Sequence, residues 1–279
     1  MRNKSKKGIL GKYFLIFIAL TYLSLVLVIP VISVFIKAFE NGFNQYINDI
    51  TEPTALAAIK LTLITIIVVV PINTVFGVIA AWCIAKFRFR GKNIILTMLD
   101  LPFAISPIIA GLVFVLLFST NHGMFADLLT NNDIKIIFAK PGIILATLFV
   151  TMPFVARELI PLMESLGTAE EEAAITLGAN GWQTFFKVTL PSIKWALFYG
   201  VILTTSRAAG EFGAVSVVSG HIRGYTNTVP LHIEILYNEY QFVGAFAVAS
   251  ILTVIAIINL IVKNIAQWKY EHKNISPEE

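Results

Sequence analysis

The sequence predicts an all-α membrane protein with six spans and both termini on the cytosolic side. Three observations carry this. First, the chain of 279 residues is 57% hydrophobic and only 14% charged, where a soluble domain carries about 25% charged residues. Second, its apolar residues gather into six long runs, each near the ~20 residues that cross ~30 Å of hydrocarbon. These runs must be helices, because backbone groups in lipid have to be satisfied within the segment. Third, Lys and Arg concentrate in alternate connections, which sets orientation by the positive-inside rule.

Residues 1–12 form a basic tail with Arg2, Lys4, Lys6, Lys7 and Lys12. The first span is 13–36, too long an apolar run for a signal peptide and lacking a small-residue cleavage site. A polar stretch, Glu40–Pro53, leads to the second span, 56–85, which contains Pro71 and Asn73. The basic turn Lys86–Lys92 precedes the third span, 94–118, with Pro102 and Pro107 inside it. A polar loop, Asn121–Lys140, leads to the fourth span, 142–163, interrupted by Pro153 and Pro161. The fifth span is 193–220, followed by a loop at His221–Tyr240, the sixth span at 242–262 and a charged tail at 269–279. Proline lacks the N–H of the helical ladder, so Pro71, Pro102, Pro107 and Pro153 are expected to kink or break their helices. No separate soluble domain, internal repeat or low-complexity linker is visible.

The net charge of +4 sits in the connections and does not point to nucleic acid. The single cysteine, Cys83, lies in an apolar run and reads as a small buried hydrophobe; one cysteine excludes an internal disulfide or thiolate cluster. There is no G-x-x-x-x-G-K-[ST]: Gly91-Lys92 is followed by Asn93, and Gly11-Lys12 by Tyr13. The chain therefore lacks a P-loop phosphate cradle. No Ser–His–Asp grouping or H-E-x-x-H is present. His122, His221, His232 and His272 fall in loops or the tail and read as solvated. The chain is thus expected to bear no catalytic site and no metal.

The longest polar interruption is 164–191, ESLGTAEEEAAITLGANGWQTFFKVTLP. Thr168 and Glu171 have capping-box spacing, and Glu170, Glu171 and Glu172 fall in a first helical turn, where the helix dipole favours negative charge. Ala173, Ala174 and Leu177 form a small apolar face, and Gly178–Gly181 is a stop-and-turn signal. Trp182, Phe185, Phe186 and Val188 suggest a second short helix, which Pro191 ends. The whole reads as a helix–turn–helix. Such a hairpin folds against the membrane alone or docks on a partner; the pattern does not choose.

This stretch resembles the EAA loop of ABC importer permeases: Glu172-Ala173-Ala174, Gly178, Val188 and Leu190-Pro191 stand at that motif's spacing. Leu99–Val113, Thr151–Pro161 and Arg207–Gly224 are similar to W-type permease subunits of the bacterial sulfate/thiosulfate importer, and the likeness runs from about Tyr13 to Trp268. The resemblance implies a type I ABC importer transmembrane domain over 13–268, in the bacterial inner membrane. It implies a loop, 164–191, that couples to a separate ATPase through Glu172, Ala173, Ala174, Gly178, Leu190 and Pro191. It further implies two copies of that ATPase, which bind ATP and Mg, a second homologous permease, and an extracytoplasmic sulfate-binding protein. Molybdate and tungstate permeases share the loop and an R-x-x-G-E-F-G stretch, so the anion stays open.

Charges inside spans usually face a bundle interior or a wet cavity. Arg207 and Glu211 lie four apart in the fifth span and share a helix face, and Gly210 and Gly213 permit close helix approach. Two readings stand: an ion pair that fixes packing, or an anion path lined by Arg207 and gated or oriented through Glu211 and Gly213. Asp100 reads as a buried acid that satisfies backbone freed by the prolines, and Arg157 and Glu158 as interfacial anchors. The competing class is a stand-alone secondary transporter, which would carry repeats and midplane ion sites.

Overall fold

The computed structural model describes residues 3–121 and 123–274, with side chains for 12–121 and 123–265. His122 and residues 275–279 therefore lie outside the described residues, as do the side chains of the N-terminal tail up to residue 11 and of His272. Among the described residues the chain is helical with no strand. Helix α1 (Asn3–Leu23) passes through a π-helical turn, Ser24–Val28, into α2 (Ile29–Ala38). A short α3 (Phe43–Thr51) precedes α4 (Pro53–Lys86), the longest helix. Then follow α5 (Lys92–Ala104), α6 (Pro107–Phe118) and the short α7 (Ala126–Asn131). Helix α8 (Lys140–Thr151) leads into α9 (Pro153–Leu166), and α10 (Ala169–Thr176) stands alone. Helix α11 (Gly181–Thr184) runs through a second π-helical turn, Phe185–Thr189, into α12 (Leu190–Ala209). Last come α13 (Gly213–Ser219), α14 (Val229–Asn238) and α15 (Phe242–Asn274).

Among the described residues, five apolar stretches are long enough to cross a bilayer: Lys12–Ala38, Pro53–Lys86, Lys140–Leu166, Gly181–Ala209 and Phe242–Ile265. Helices α5 and α6 qualify together but bend by 107°. Their side-chain contacts show that this pair crosses rather than turning back. Along α4, Asn73 meets Thr151, Gly77 meets Val155 and Lys86 meets Gly167, so α4 and α8–α9 run parallel. The α5–α6 pair must return the chain between them. It starts beside Glu164, 3.0 Å from Lys92, and ends with Phe118 packed near Ile143. The described residues therefore make six crossings, and α15 runs back toward the 164–191 end, with Asn259 on Ser206 and Lys263 over the Tyr199 ring.

The prolines act in three different ways. Pro107 follows a real break, because Ile105 and Ser106 are extended before it and the residue ahead of proline avoids helical backbone. At Pro71 the helix α4 continues unbroken. Both π-helical turns end within two residues of a proline, Pro30 and Pro191. A wider turn carries the carbonyl four residues back away from the proline ring, so the helix survives. Pro191 therefore opens α12 without ending the helix before it, contrary to the sequence expectation. Only α10 is a free-standing helix in the loop; Trp182–Val188 belongs to the start of the fifth span.

Small residues and polar side chains close the bundle, as they must where lipid removes the usual hydrophobic driving force between helices. A Cβ on Gly77 would sit 2.6 Å from Val155 Cβ, so α4 and α9 touch through a bare backbone. Pro153 cannot donate to the Phe149 carbonyl, and Met152 N–H turns to Phe149, 3.4 Å away. The Leu148 carbonyl left over accepts from buried Asn73 Nδ2 at 3.1 Å, which also donates to Thr151 Oγ1 at 2.8 Å. Asn73 thus seals the joint between α8 and α9. On the loop side of it Ile84, Leu159, Met163 and Ile193 form a core, while Ile143, Val215, Val218 and Leu231 form one toward the far end.

The fifth span does not reach 220. It stops at Ala209, and Gly210–Phe212 separates it from α13, which packs on α6 and α8. The His221–Tyr240 loop contains α14, whose Val229, Leu231, His232 and Leu236 are buried. Asp100 is half exposed and pairs with Arg157 instead of backbone, and Arg157 lies 5.8 Å from the Phe103 ring centroid. Cys83 is half-buried. His221 is paired with Glu234 at 3.4 Å, and His232 is enclosed, neither being simply solvated.

Candidate functional site

The 164–191 segment is shaped by two glycine turns. Gly167 leaves α9 at φ 65°, ψ −155°, a region open in practice only to glycine. At the far end of α10, Gly178 has φ +90°. There the Gly178 N–H donates to the Ile175 carbonyl at 2.9 Å and Ala179 N–H to Ala174 at 3.0 Å, the Schellman pattern that satisfies the last helical carbonyls. No atom lies within 4 Å of a Cβ placed on Gly178. A side chain there meets backbone strain alone, about 1–2 kcal/mol.

The capping box forms at the other helix. Asn180 Oδ1 accepts from Gln183 N–H at 2.9 Å, and Gln183 Oε1 accepts from Asn180 N–H at 3.0 Å. Thr168 makes no backbone cap; its hydroxyl donates to Glu172 Oε1 at 2.7 Å. Glu170, Glu171 and Glu172 occupy the first turn of α10. None of the α10 residues is buried: Ala173 is exposed, Ala174 half-exposed and Ile175 58% exposed, and Leu177, which ends the helix, is 89% exposed. Trp182 stacks on Phe186 with centroids 5.9 Å apart, and both are open to the outside. The segment therefore presents an acidic turn beside an uncovered apolar surface, with Leu190 half-buried and Pro191 exposed at its end.

Two residues that the sequence reading did not join anchor this surface. Lys86 Nζ lies 2.7 Å from Glu171 Oε1, with side chains only 7% and 16% exposed. The same ammonium donates to the Gly167 carbonyl. Thr189 Oγ1 donates to Glu171 Oε1 at 3.2 Å, and Ser192 Oγ to Glu170 Oε2 at 3.3 Å. Lys86 was legible as part of a basic turn, and Glu171 as a helix-start acid. Their pairing across 85 residues of sequence leaves no local signal.

The second candidate group is Arg207, Glu211 and Gly213. Arg207 Nη1 lies 2.6 Å from Glu211 Oε2, the arginine being one-third exposed and the glutamate enclosed. The other oxygen, Glu211 Oε1, accepts from Ala214 N–H at 3.0 Å. One carboxylate thus caps α13 and pairs with the arginine in the last turn of α12, spanning the break between them. A Cβ on Gly213 would lie 3.0 Å from Pro107 Cβ, so the start of α13 sits directly on the α5–α6 bend. Gly210 approaches no other helix: the nearest atom to a Cβ there is the Ser206 carbonyl.

Residues 73–269 match the family described as binding-protein-dependent transport system inner membrane component. The chain is 49% identical over 263 residues to the sulfate transport system permease protein CysW of Escherichia coli (strain K12), covering 94% of this chain and 90% of that one. It is 37% identical over 252 residues to CysT, the sulfate transport system permease protein of the same strain, covering 90% and 91%. Its fold resembles a chain of the bacterial alginate ABC transporter crystallised with an alginate pentasaccharide-bound periplasmic protein, with a TM-score of 0.77 at 18% identity over 94% of each chain. By its sequence and its bundle of apolar helices, this multi-pass chain belongs to the binding-protein-dependent transport system inner membrane component family.

Proposed function

We propose that this chain is a permease subunit of an ATP-driven sulfate/thiosulfate importer and that 164–191 couples it to a separate ATPase. The observation that carries the coupling role is the uncovered acidic and apolar surface of α10 and the Leu177 that follows it, outside every bilayer-crossing stretch. Isolated apolar side chains on a surface are ordinary, but a contiguous patch rimmed by charge suits a protein partner. The loop end of the bundle is then cytosolic, with both termini. ATP and Mg bind two copies of the ATPase, not this chain. A second permease like CysT completes the pathway, and an extracytoplasmic sulfate-binding protein delivers the anion.

In this reading ATP biases a two-state equilibrium only by its differential affinity for the two arrangements, and α10 is the contact through which that bias enters. Arg207 borders the anion path, partly neutralised by Glu211. A partly neutralised cation suits conduction, because an ion held tightly cannot leave.

The test is the reconstituted assembly with its binding protein. Sulfate or thiosulfate is expected to stimulate ATP hydrolysis, and Glu172→Lys or Gly178→Leu to abolish uptake while the permease still inserts. Normal uptake by both variants refutes the coupling role. Stimulation by molybdate alone, in place of sulfate, refutes the substrate.

A further inference from the structure

We infer that Lys86 and Glu171 form the joint through which displacement of α10 is passed into α4; this rests on the coupling role proposed for 164–191. Helix α10 has no buried residue. A helix that packs nothing into the bundle cannot push it through side-chain contact. Its attachments are the two chain turns and its acidic first turn. In that turn Glu171 is the enclosed side chain, and its Oε1 sits 2.7 Å from Lys86 Nζ.

Lys86 is built to hold both sides of the bend. It stands in the last turn of α4, where the helix dipole favours a cation. From there its ammonium reaches Glu171 on α10 and the carbonyl of Gly167 on the turn before it. Thr189, at the start of the fifth span, donates to the same Glu171 oxygen. The Lys86–Glu171 pair therefore ties together α4, the α9–α10 turn, α10 and the π-helical turn that opens α12. Exposed ion pairs hold little, since water and salt screen them. This one is shielded from water, so removing either partner leaves an enclosed charge unanswered.

The consequence is directional. Chain connectivity already links α10 to α9 and α12, but nothing covalent links it to α4. Packing of α4 along α9 and α12 passes on part of any displacement. The joint adds a direct tie at the loop end of α4, so without it the end of α4 nearest α10 lags behind α9 and α12. Lys86 and Glu171 are positioning residues, which touch no anion.

The experiment uses the complete reconstituted assembly carrying Lys86→Met, Glu171→Gln or Lys86→Arg. A cysteine at exposed Leu177 reports contact with the ATPase by cross-linking. The expected result is loss of sulfate uptake per ATP hydrolysed by about tenfold in Lys86→Met and Glu171→Gln. The cross-link and ATP hydrolysis persist, and Lys86→Arg retains coupling. An unchanged uptake-to-hydrolysis ratio in both neutral variants overturns the joint. So does loss of the cross-link, which makes the pair a docking brace only. Absence of the Leu177 cross-link in the otherwise unaltered protein instead removes the coupling role itself, and the joint with it.

Discussion

At the scale of single residues, backbone conformation decided what side-chain patterns left open. Thr168-x-x-Glu171 and Asn180-x-x-Gln183 both have capping-box spacing, yet only the second forms. Asn180 is extended, with ψ 168°, so its side chain faces the free N–H groups; Thr168 has ψ 1° and its hydroxyl turns to Glu172. His232 departs furthest from its sequence reading. It is enclosed in α14 with neither ring nitrogen partnered, close to the similarly unpartnered Asn227 and Thr228 in sequence. Burial pushes its pKa below the ordinary 6.5, with Arg223 adding to the fall and Glu52 and Glu239 opposing it. The folded state then binds a proton less readily than the unfolded chain, so stability is full above about pH 6.5 and declines as pH falls below it. The purified protein is expected to lose thermal midpoint between pH 7.5 and 5.5, and His232→Phe to flatten that slope. An identical slope in the variant removes His232 as the cause.

At the scale of elements, proline effects were legible in kind but not in place. Pro107 breaks a span, Pro71 leaves one continuous, and Pro191 is absorbed by a π-helical turn. The outcome depends on whether a neighbouring side chain or a widened turn satisfies the freed carbonyls, and those partners are distant in sequence. Asn73 is the clearest case: it lies 75 residues from the Leu148 carbonyl that it serves. Asn73→Ala is expected to leave that buried carbonyl unpaired and cost about 1–3 kcal/mol. A thermal or denaturant midpoint in detergent checks this, and an unshifted midpoint shows that water reaches the joint. The end of the fifth span was equally hidden. Gly210 permits a stop, and the break is spanned by Glu211, which caps α13 and pairs with Arg207 at once.

At the scale of the whole molecule, the six crossings of the described residues follow from the parallel run of α4 and α8–α9, which forces the bent α5–α6 pair across. The coupling reading adds an orientation. After Cys83→Ser, an impermeant maleimide applied from outside is expected to label Asn48→Cys and Tyr240→Cys, at the far end. It should spare Lys92→Cys and Leu177→Cys, at the loop end. Labelling of Leu177→Cys from outside puts the loop on the wrong side for ATP and sinks the coupling role. The all-helical membrane architecture was legible because lipid allows little else: long apolar runs must be helices. The arrangement of the loop surface was half legible. The acidic turn and Gly178 announce themselves locally, whereas the Lys86–Glu171 joint does not.

The sequence by itself determined the solvent this chain lives in, the number of apolar runs and the polar character of 164–191. These depend on composition and on local periodicity, which the chain carries without reference to any neighbour. Only the tertiary structure decided which proline breaks a helix, where the fifth span stops, and which lysine answers Glu171. Each of those outcomes is set by a polar group in low dielectric finding a partner, and the partner is chosen by packing between helices far apart in the chain.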